Sequence, residues 1–134
     1  MNIENYSAVG AVLKSGDTVF HVTDTEYWTV APQSLWKECT WEEGVRYCQE
    51  IGYVLPSRDI LQILYDYRDN VHTLPTAFVW SSTELNSYFA WNLHFGRGNW
   101  YSNSKNSSDW AVPVRRVQKD IEVAPGIYSV ADLK

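Results

Sequence analysis

Hydrophobic and polar positions along the chain follow two periods, and the change between them falls near the middle of the sequence. Between residues 41 and 65, apolar side chains recur every three or four positions, which is typical of helices that bury one face. From Ala77 to Val117 the period falls to two and many of the apolar positions are aromatic, which favours antiparallel strands. The pattern therefore predicts an α+β fold in which two helices pack on a small twisted antiparallel sheet.

The first predicted helix begins with a capping box. The Thr40 side chain is placed to accept a hydrogen bond from the third helical amide, while the Glu43 side chain reaches back to the Thr40 amide. We expect the helix to end at Gly52. Its apolar positions at helical spacing are Trp41, Val45, Cys48 and Ile51.

The second predicted helix follows Pro56, which cannot continue a preceding helix, and Ser57 is its expected N-cap. One face of this helix is apolar and the other is charged. We expect the charged face to be solvated. The apolar stripe comprises Ile60, Leu61, Leu64 and Tyr65, and the charged face comprises Arg58, Asp59, Asp66 and Arg68.

The N-terminal strands are predicted from β-rich runs between turn residues. Residues 8–14 and 18–22 flank Ser15-Gly16-Asp17 and predict a hairpin. Residues 27–31 predict a third strand, which ends at Pro32.

In the C-terminal half, Trp80 and Trp91 lie on predicted strands and are expected in the core. Arg115 and Arg116 alternate faces, so we expect one to be paired inside and one to be exposed. Polar connectors are predicted at residues 84–87, 96–99 and 102–109, and residues 127–130 are expected to add an edge strand.

Composition indicates one globular domain over residues 1–134, because the chain is 45% hydrophobic and 20% charged and too short for two domains. No segment approaches the roughly 18 apolar residues of a membrane span, so we expect no membrane insertion. Residues 1–5 show neither a basic region nor an apolar run, so we expect no secretion signal and a cytoplasmic or virion-associated protein.

The net charge of −5 is unevenly distributed. Residues 1–79 carry 5 basic and 11 acidic residues, residues 80–119 carry 5 and 2, and residues 120–134 carry 1 and 3. The excess of +3 in the central segment suits an acidic partner. It falls well short of the basic stripe of a nucleic-acid-binding protein, so we do not expect a nucleic-acid partner.

A series of short motifs occurs in a set order: Thr40-Trp41-Glu42-Glu43, Tyr47-Cys48, Leu55-Pro56-Ser57, Leu61, Leu64-Tyr65-Asp66, Trp80-Ser81-Ser82-Thr83, Ala90-Trp91, Phe95, Gly98, Lys105 and Val114-Arg115-Arg116-Val117. Their order and spacing resemble the bacterial and phage domain family named for the C-terminal domain of a collagen-like adhesin. That family is similar to C-type lectins and to the formylglycine-generating-enzyme fold. The resemblance covers residues from about 18 to 117 and leaves 118–134 as a C-terminal extension.

The resemblance implies a C-type-lectin-like fold with ligands bound by loops and strand faces of the C-terminal half. The chain departs from the family pattern at Val54, where an arginine usually precedes Leu-Pro, and at Tyr27-Trp28-Thr29, where Leu-Met-Trp is usual. These departures affect the expected packing of the N-terminal segment. Function must be argued from the site, because one fold supports many functions.

Catalytic and metal chemistry find little support in the residues. Cys39 and Cys48 are interpreted as two reduced, partly buried thiols, with a disulfide between them as the alternative. They lie too early in the chain to match the late copper-binding cysteines of the oxidase relatives. His21, His72 and His94 are scattered. The calcium-binding triplets of lectins are absent, so we expect no enzyme activity, no metal and no cofactor.

Binding by aromatic and amide side chains is the remaining interpretation, because Tyr and Trp offer large rigid contacts and Asn offers adaptable hydrogen bonds. For His94 the alternative to a ligand contact is a surface or packing role. For Arg97, which lies between two glycines, the alternative is that of a solvated turn residue. The candidate ligand-binding residues are Tyr88, Asn92, His94, Arg97, Asn99, Trp100, Tyr101, Asn103, Lys105 and Asn106.

Three functions are consistent with these residues. The first is a non-enzymatic recognition module of a phage or prophage that binds a protein or carbohydrate ligand, with an oligomer possible. The second is a small phage-encoded intracellular inhibitor of a host protein or defence complex. The third is the hypervariable target of a diversity-generating retroelement, since Asn-rich positions are expected from adenine-directed mutagenesis. Alanine at Arg97, Trp100, Tyr101 and Asn103 is expected to abolish binding with little change in the thermal midpoint.

Overall fold

The computed structural model describes residues 9–71 and 74–118, and these residues form an α+β fold. None of the helices in the described part of the chain is long and apolar enough to cross a membrane. Short 3-10 turns occur at Gln33–Leu35 and Arg68–Asn70. The helices and strands are β1 Thr18–Val22, β2 Glu26–Val30, β3 Lys37–Cys39, α1 Trp41–Glu50, α2 Arg58–Asp66, β4 Phe78–Glu84, β5 Phe89–His94, β6 Asn99–Ser104, β7 Asp109–Ala111 and β8 Val114–Gln118.

Both helices start where the sequence predicts. At α1 the Thr40 side chain accepts from the Glu43 amide and the Glu43 side chain accepts from the Thr40 amide, so the capping box is complete. At α2 the Ser57 side chain accepts from the Ile60 amide. Gly52 follows the C-cap of α1 with a φ of 85°, a left-handed conformation that favours glycine.

The strands form two sheets rather than the single sheet that the sequence pattern predicts. A three-stranded sheet has the order β1-β2-β8, and a five-stranded sheet has the order β3-β7-β4-β5-β6. Most neighbouring strands are antiparallel, but β4 and β7 run parallel through the pair Val79 and Trp110. The expectation of a purely antiparallel sheet is therefore wrong at this one junction.

The core consists of two clusters that share the five-stranded sheet. In the first, Leu61 and Leu64 of α2 pack with Val79 and Leu93. In the second, Cys48 of α1 packs with Trp80 and other small and aromatic residues. Successive residues of a strand point to opposite faces. Val79 and Trp80 therefore face opposite sides of β4, where α2 and α1 respectively pack.

Three strand predictions need correction or lie outside the described residues. Residues 9–14 do not form a strand, because Val12 makes only an isolated bridge to Thr18. The expected polar loop at 102–109 is shorter, since β6 continues to Ser104 and β7 begins at Asp109. The edge strand expected at 127–130 lies outside the described residues.

A buried carboxylate joins the turn before β1 to the last strand. Asp17 is fully buried and accepts hydrogen bonds from Thr29 Oγ1 at 3.0 Å, Tyr53 Oη at 2.6 Å and Arg115 Nη2 at 2.7 Å. Arg116 pairs instead with Glu26 at 3.2 Å on the exposed side of β8. The prediction that one arginine of this pair is held inside is confirmed, and it is Arg115.

Candidate functional site

The candidate site lies on one face of the β4-β5-β6 hairpins. Phe78 lies opposite His94, and His94 lies opposite Asn99 on the next strand. In the neighbouring row, Asn92 lies opposite Tyr101. Because side chains alternate along a strand, all of these residues project from one face of the sheet. We call four of these residues the aromatic face: the exposed Phe78, Asn99 and Tyr101 and the half-buried His94.

The rings of the aromatic face contact one another edge to face. The centroids of Phe78 and His94 are 4.7 Å apart at 88°, and those of Phe78 and Tyr101 are 5.5 Å apart at 77°. Nevertheless Phe78 is 36% exposed and Tyr101 is 40% exposed. The amide of Gly96 donates to His94 Nδ1 at 3.1 Å. The cluster is therefore held in place and still presents ring surface to solvent.

Arg97 stands next to the aromatic face in the turn between β5 and β6. The amides of Arg97 and Gly98 both donate to the His94 carbonyl, at 3.1 and 2.7 Å. Gly98 adopts a φ of 80°, and a Cβ there would lie 2.6 Å from the Tyr65 hydroxyl, so only glycine fits this turn. Arg97 is exposed, and its guanidinium has no carboxylate partner among the described residues.

Asn92 and Asn103 have an internal role. Both side-chain amides donate to Asp109 Oδ2, at 2.8 Å from Asn92 and 3.1 Å from Asn103. Asn92 is only 1% exposed, and its Oδ1 is buried without a partner among the described residues. Burial raises the pKa of the Asp109 carboxyl, and the two amide donors partly oppose that shift. These contacts fasten the start of β7 to the face of β5 and β6.

Lys105 is also engaged inside the molecule. Its ammonium pairs with the Glu84 carboxylate and lies 4.6 Å from the centre of the Trp41 ring. The Lys105 carbonyl accepts from the Trp41 amide at 3.1 Å. The side chain of Lys105 is only 12% exposed, so it anchors the β6–β7 loop to α1 rather than standing free for a ligand.

Trp100 projects from the opposite face of the sheet, where it contacts α2. Its Nε1 donates to Gln62 Oε1 at 2.7 Å. The Arg58 guanidinium lies 4.7 Å from the Trp100 ring and 4.1 Å from the Trp91 ring. The expectation that Arg58 belongs to a solvated helix face is therefore wrong. Trp91 is half-buried beneath this guanidinium, whereas Trp80 is fully buried as predicted.

Tyr88 and Asn106 are exposed at the far end of the same hairpin. They flank the point where the Lys105 amide donates to the Tyr88 carbonyl at 2.9 Å. Tyr88 is 75% exposed. The six residues of β5 separate them from the Arg97 turn by about 20 Å. The ten candidates thus divide into the aromatic face with Arg97, a distant pair, and four internal residues: Asn92, Trp100, Asn103 and Lys105.

Phe78 is the one residue of the aromatic face that is absent from the sequence-based candidates. Its aromatic period with Trp80 is visible in the sequence, but that period alone assigns both rings to the core. Phe78 is the first residue of β4, where the sheet extends beyond the part covered by the core cluster of α1. Position at a strand end is therefore the signal that distinguishes it from Trp80.

Neither thiol is suited to reaction in this structure. Cys39 and Cys48 are free and buried, and burial raises the pKa of both thiols, that of Cys48 to about 12. Within residues 9–71 and 74–118, no three His, Cys, Asp or Glu side chains are grouped to hold a metal ion. His21 lies on β1, away from His94 on β5, and His72 is outside the described residues.

No protein-family model matches the sequence, and no curated protein matches it. The function is therefore argued from the site itself.

Proposed function

We propose that this chain is a non-enzymatic recognition module that binds a protein or a glycan through the aromatic face and Arg97. The observation that carries the proposal is the exposed pair Phe78 and Tyr101, 36% and 40% exposed although their rings are fixed against each other and His94. A patch of adjoining aromatic side chains that stays exposed on a small domain often marks a binding site.

The chemistry of this surface suits recognition. Aromatic rings provide contact area at low cost in conformational entropy, and arginine and asparagine provide directional hydrogen bonds. The Arg97 guanidinium, which no carboxylate of the described residues pairs with, can form two parallel bonds to a carboxylate of a ligand. A ligand that combines a flat apolar group with an acidic or hydroxyl group therefore fits best. Both a protein loop and an acidic sugar have that combination.

The finer architecture belongs to the same proposal. We infer a C-type-lectin-like arrangement and a phage or prophage origin, supported by the motif order along residues 18–117 and by two helices followed by the β4–β8 strands.

Of the candidate asparagines, only Asn99 and Asn106 are exposed. Variation in a retroelement target would have to be concentrated at such positions, since Asn92 and Asn103 hold Asp109. The recognition module is therefore the function that we favour.

The test compares two triple-alanine variants. The first replaces Phe78, Arg97 and Tyr101 on the aromatic face, and the matched control replaces Leu85, Tyr88 and Asn106 at the far end of the hairpin. Trp100 and Asn103 are left intact because their side chains make internal hydrogen bonds. Each tagged protein is used for affinity capture from bacterial lysate and for glycan arrays, and binding of any captured partner is then measured by calorimetry.

We expect the wild type and the control to bind one ligand and the first variant to lose it, with thermal midpoints that agree within a few degrees. Loss in the control alone would place the site at Tyr88 and contradict the proposal. Absence of any protein or glycan ligand for the wild type would contradict it entirely.

A further inference from the structure

Strand β6 lies at an edge of the five-stranded sheet. It pairs with β5, and among the described residues no strand pairs with its other side. Its six residues, Asn99–Ser104, include no charged residue and no proline, and its register with β5 runs without a bulge. Proteins protect exposed edges with such residues or bulges, because an open edge pairs readily with another strand.

The hydrogen bonds around β5 show which backbone groups of β6 are free. The Lys105 amide donates to the Tyr88 carbonyl, and on the other side of β5 the Leu85 amide donates to the Phe89 carbonyl, both at 2.9 Å. Backbone groups alternate in direction along an antiparallel ladder. The odd-numbered residues of β6 therefore bond to β5, and the even-numbered residues point outward.

Among the described residues, two of the three outward residues of β6 keep free backbone groups. The Ser104 amide donates to Asn103 Oδ1 at 2.9 Å, and the Ser104 carbonyl accepts from the Ser107 amide at 2.9 Å. Trp100 and Ser102 have no such partners among the described residues. Their two amides and two carbonyls form a short, open hydrogen-bonding edge.

We propose that β6 pairs antiparallel with β6 of a second copy of this chain, in the register that places Trp100 opposite Ser102 of that copy. This register bonds all four free groups. A shift by two residues in either direction brings in Ser104, whose groups are occupied, or Gly98, which lies in the turn at a φ of 80°. The inference does not depend on the proposed function.

The side chains of β6 suit pairing with themselves in this register. The large Trp100 side chain meets the small Ser102 on one face, and no like charges oppose each other although each chain carries −5. On the other face Tyr101 meets Tyr101 of the second copy as a non-hydrogen-bonded pair, with Cα atoms about 4.5 Å apart. Two aromatic faces would then adjoin. A strand this short buries less than the roughly 1,200 Å² of a stable interface, so we expect weak association.

Cysteine cross-linking tests the register. Tyr101→Cys places two thiols on the symmetry axis at a separation that a disulfide spans, whereas Asn99→Cys places a thiol at another exposed position, opposite Asn103 of the second copy. Under mild oxidation we expect a covalent dimer of Tyr101→Cys and none of Asn99→Cys. The wild type, whose Cys39 and Cys48 are buried, should remain uncross-linked. Equal cross-linking of both variants would overturn the register.

Sedimentation equilibrium tests the association itself. We expect the dimer fraction of the wild type to rise as the protein concentration is increased from about 10 µM to about 1 mM. Ser102→Pro, which removes one outward amide, should abolish it, and Ser102→Ala, which keeps the amide, should not. A wild type that is monomeric throughout this range would overturn the proposal. Slow hydrogen exchange of the Trp100 and Ser102 amides in the dilute monomer would also overturn it, because the edge would already be occupied.

Discussion

Replacing Asp17 by alanine tests the buried contact that ties the N-terminal segment to the last strand. The carboxylate is fully buried and accepts from Thr29, Tyr53 and Arg115 at 2.6 to 3.0 Å. Its removal leaves the Arg115 cation over the Tyr53 ring without a counter-charge from the described residues. The Nε of Arg115 is already buried without a hydrogen-bond partner in the same part of the chain. The loss therefore exceeds that of one ordinary hydrogen bond.

The magnitude follows from the burial of the two partners. Removing one member of a fully buried ion pair costs about 3–5 kcal/mol. The Arg115 side chain is 36% exposed and can be partly hydrated, so we expect the lower end, about 3 kcal/mol for Asp17→Ala. Thr29→Val, which removes one neutral donor to the same carboxylate, should cost about 1 kcal/mol.

Urea unfolding followed by tryptophan fluorescence measures these changes as shifts of the midpoint at constant slope. Glu26→Ala is the matched control, because Glu26 pairs with the neighbouring Arg116, whose side chain is 59% exposed. We expect that exposed pair to contribute less than about 1 kcal/mol. If Asp17→Ala costs no more than Glu26→Ala, the buried network does not stabilise the fold, and the reasoning from burial is refuted.

Three further predictions concern the interior. Burial and the hydrogen bond to Asp17 raise the pKa of Tyr53 from 10.0 to about 12. The stability that the protonated Tyr53 contributes to the folded state is therefore complete below pH 10 and is lost as the pH rises through 12, so the free energy of unfolding should fall less steeply with alkaline pH for Tyr53→Phe than for the wild type. Burial raises the pKa of Asp109, so the stability that this one carboxyl contributes is present at low pH and is lost as the pH rises through its pKa. The free energy of unfolding of Asp109→Asn minus that of the wild type should therefore be larger at pH 7 than at pH 4 in paired urea titrations, and an unchanged difference would contradict this. Trp80→Ala should lower the free energy of unfolding by about 3–5 kcal/mol, measured by thermal or urea unfolding, because it leaves a cavity in the fully buried core. Trp91→Ala should cost about 1–2 kcal/mol, since Trp91 is half-buried under Arg58, and equal costs for the two would contradict the difference in burial.

The helices could be predicted from the sequence because their signals are local. The Thr40 capping box and the Ser57 cap act within one turn, and the structure contains both. Strand β3 could not be predicted, because Lys37–Cys39 has no alternation and becomes a strand only by pairing with β7, about 70 residues later. The end of β6 differs from the sequence-based prediction for a related reason: its Ser and Asn residues are typical of a loop, yet Asn103 is held by Asp109.

The sequence selects ten candidate residues, and the structure places only some of them together on one exposed surface. Residue type identified His94, Arg97, Asn99 and Tyr101, which the strand register places together. The same reasoning also selected Trp100 and Asn103, whose polar atoms are used inside the molecule. A sequence shows which side chains can hydrogen-bond, but it does not show whether a partner 6 or 38 residues away already occupies them.

Two internal residues, Trp100 and Asn103, hold the strand of the aromatic face in place before any ligand is present. On one side of the sheet, Trp100 contacts Gln62 and Arg58. On the other side, Asn103 donates to Asp109. The residues that flank Tyr101-Ser102 in β6 are therefore both held in place. Tyr101 itself is bonded to β5 by its backbone and contacts Phe78 by its ring. Little conformational entropy then remains to be lost when a ligand binds, and that loss is one of the main costs of association. In the recognition role that we propose, Trp100 and Asn103 therefore act indirectly, by holding in place the strand that presents the exposed rings.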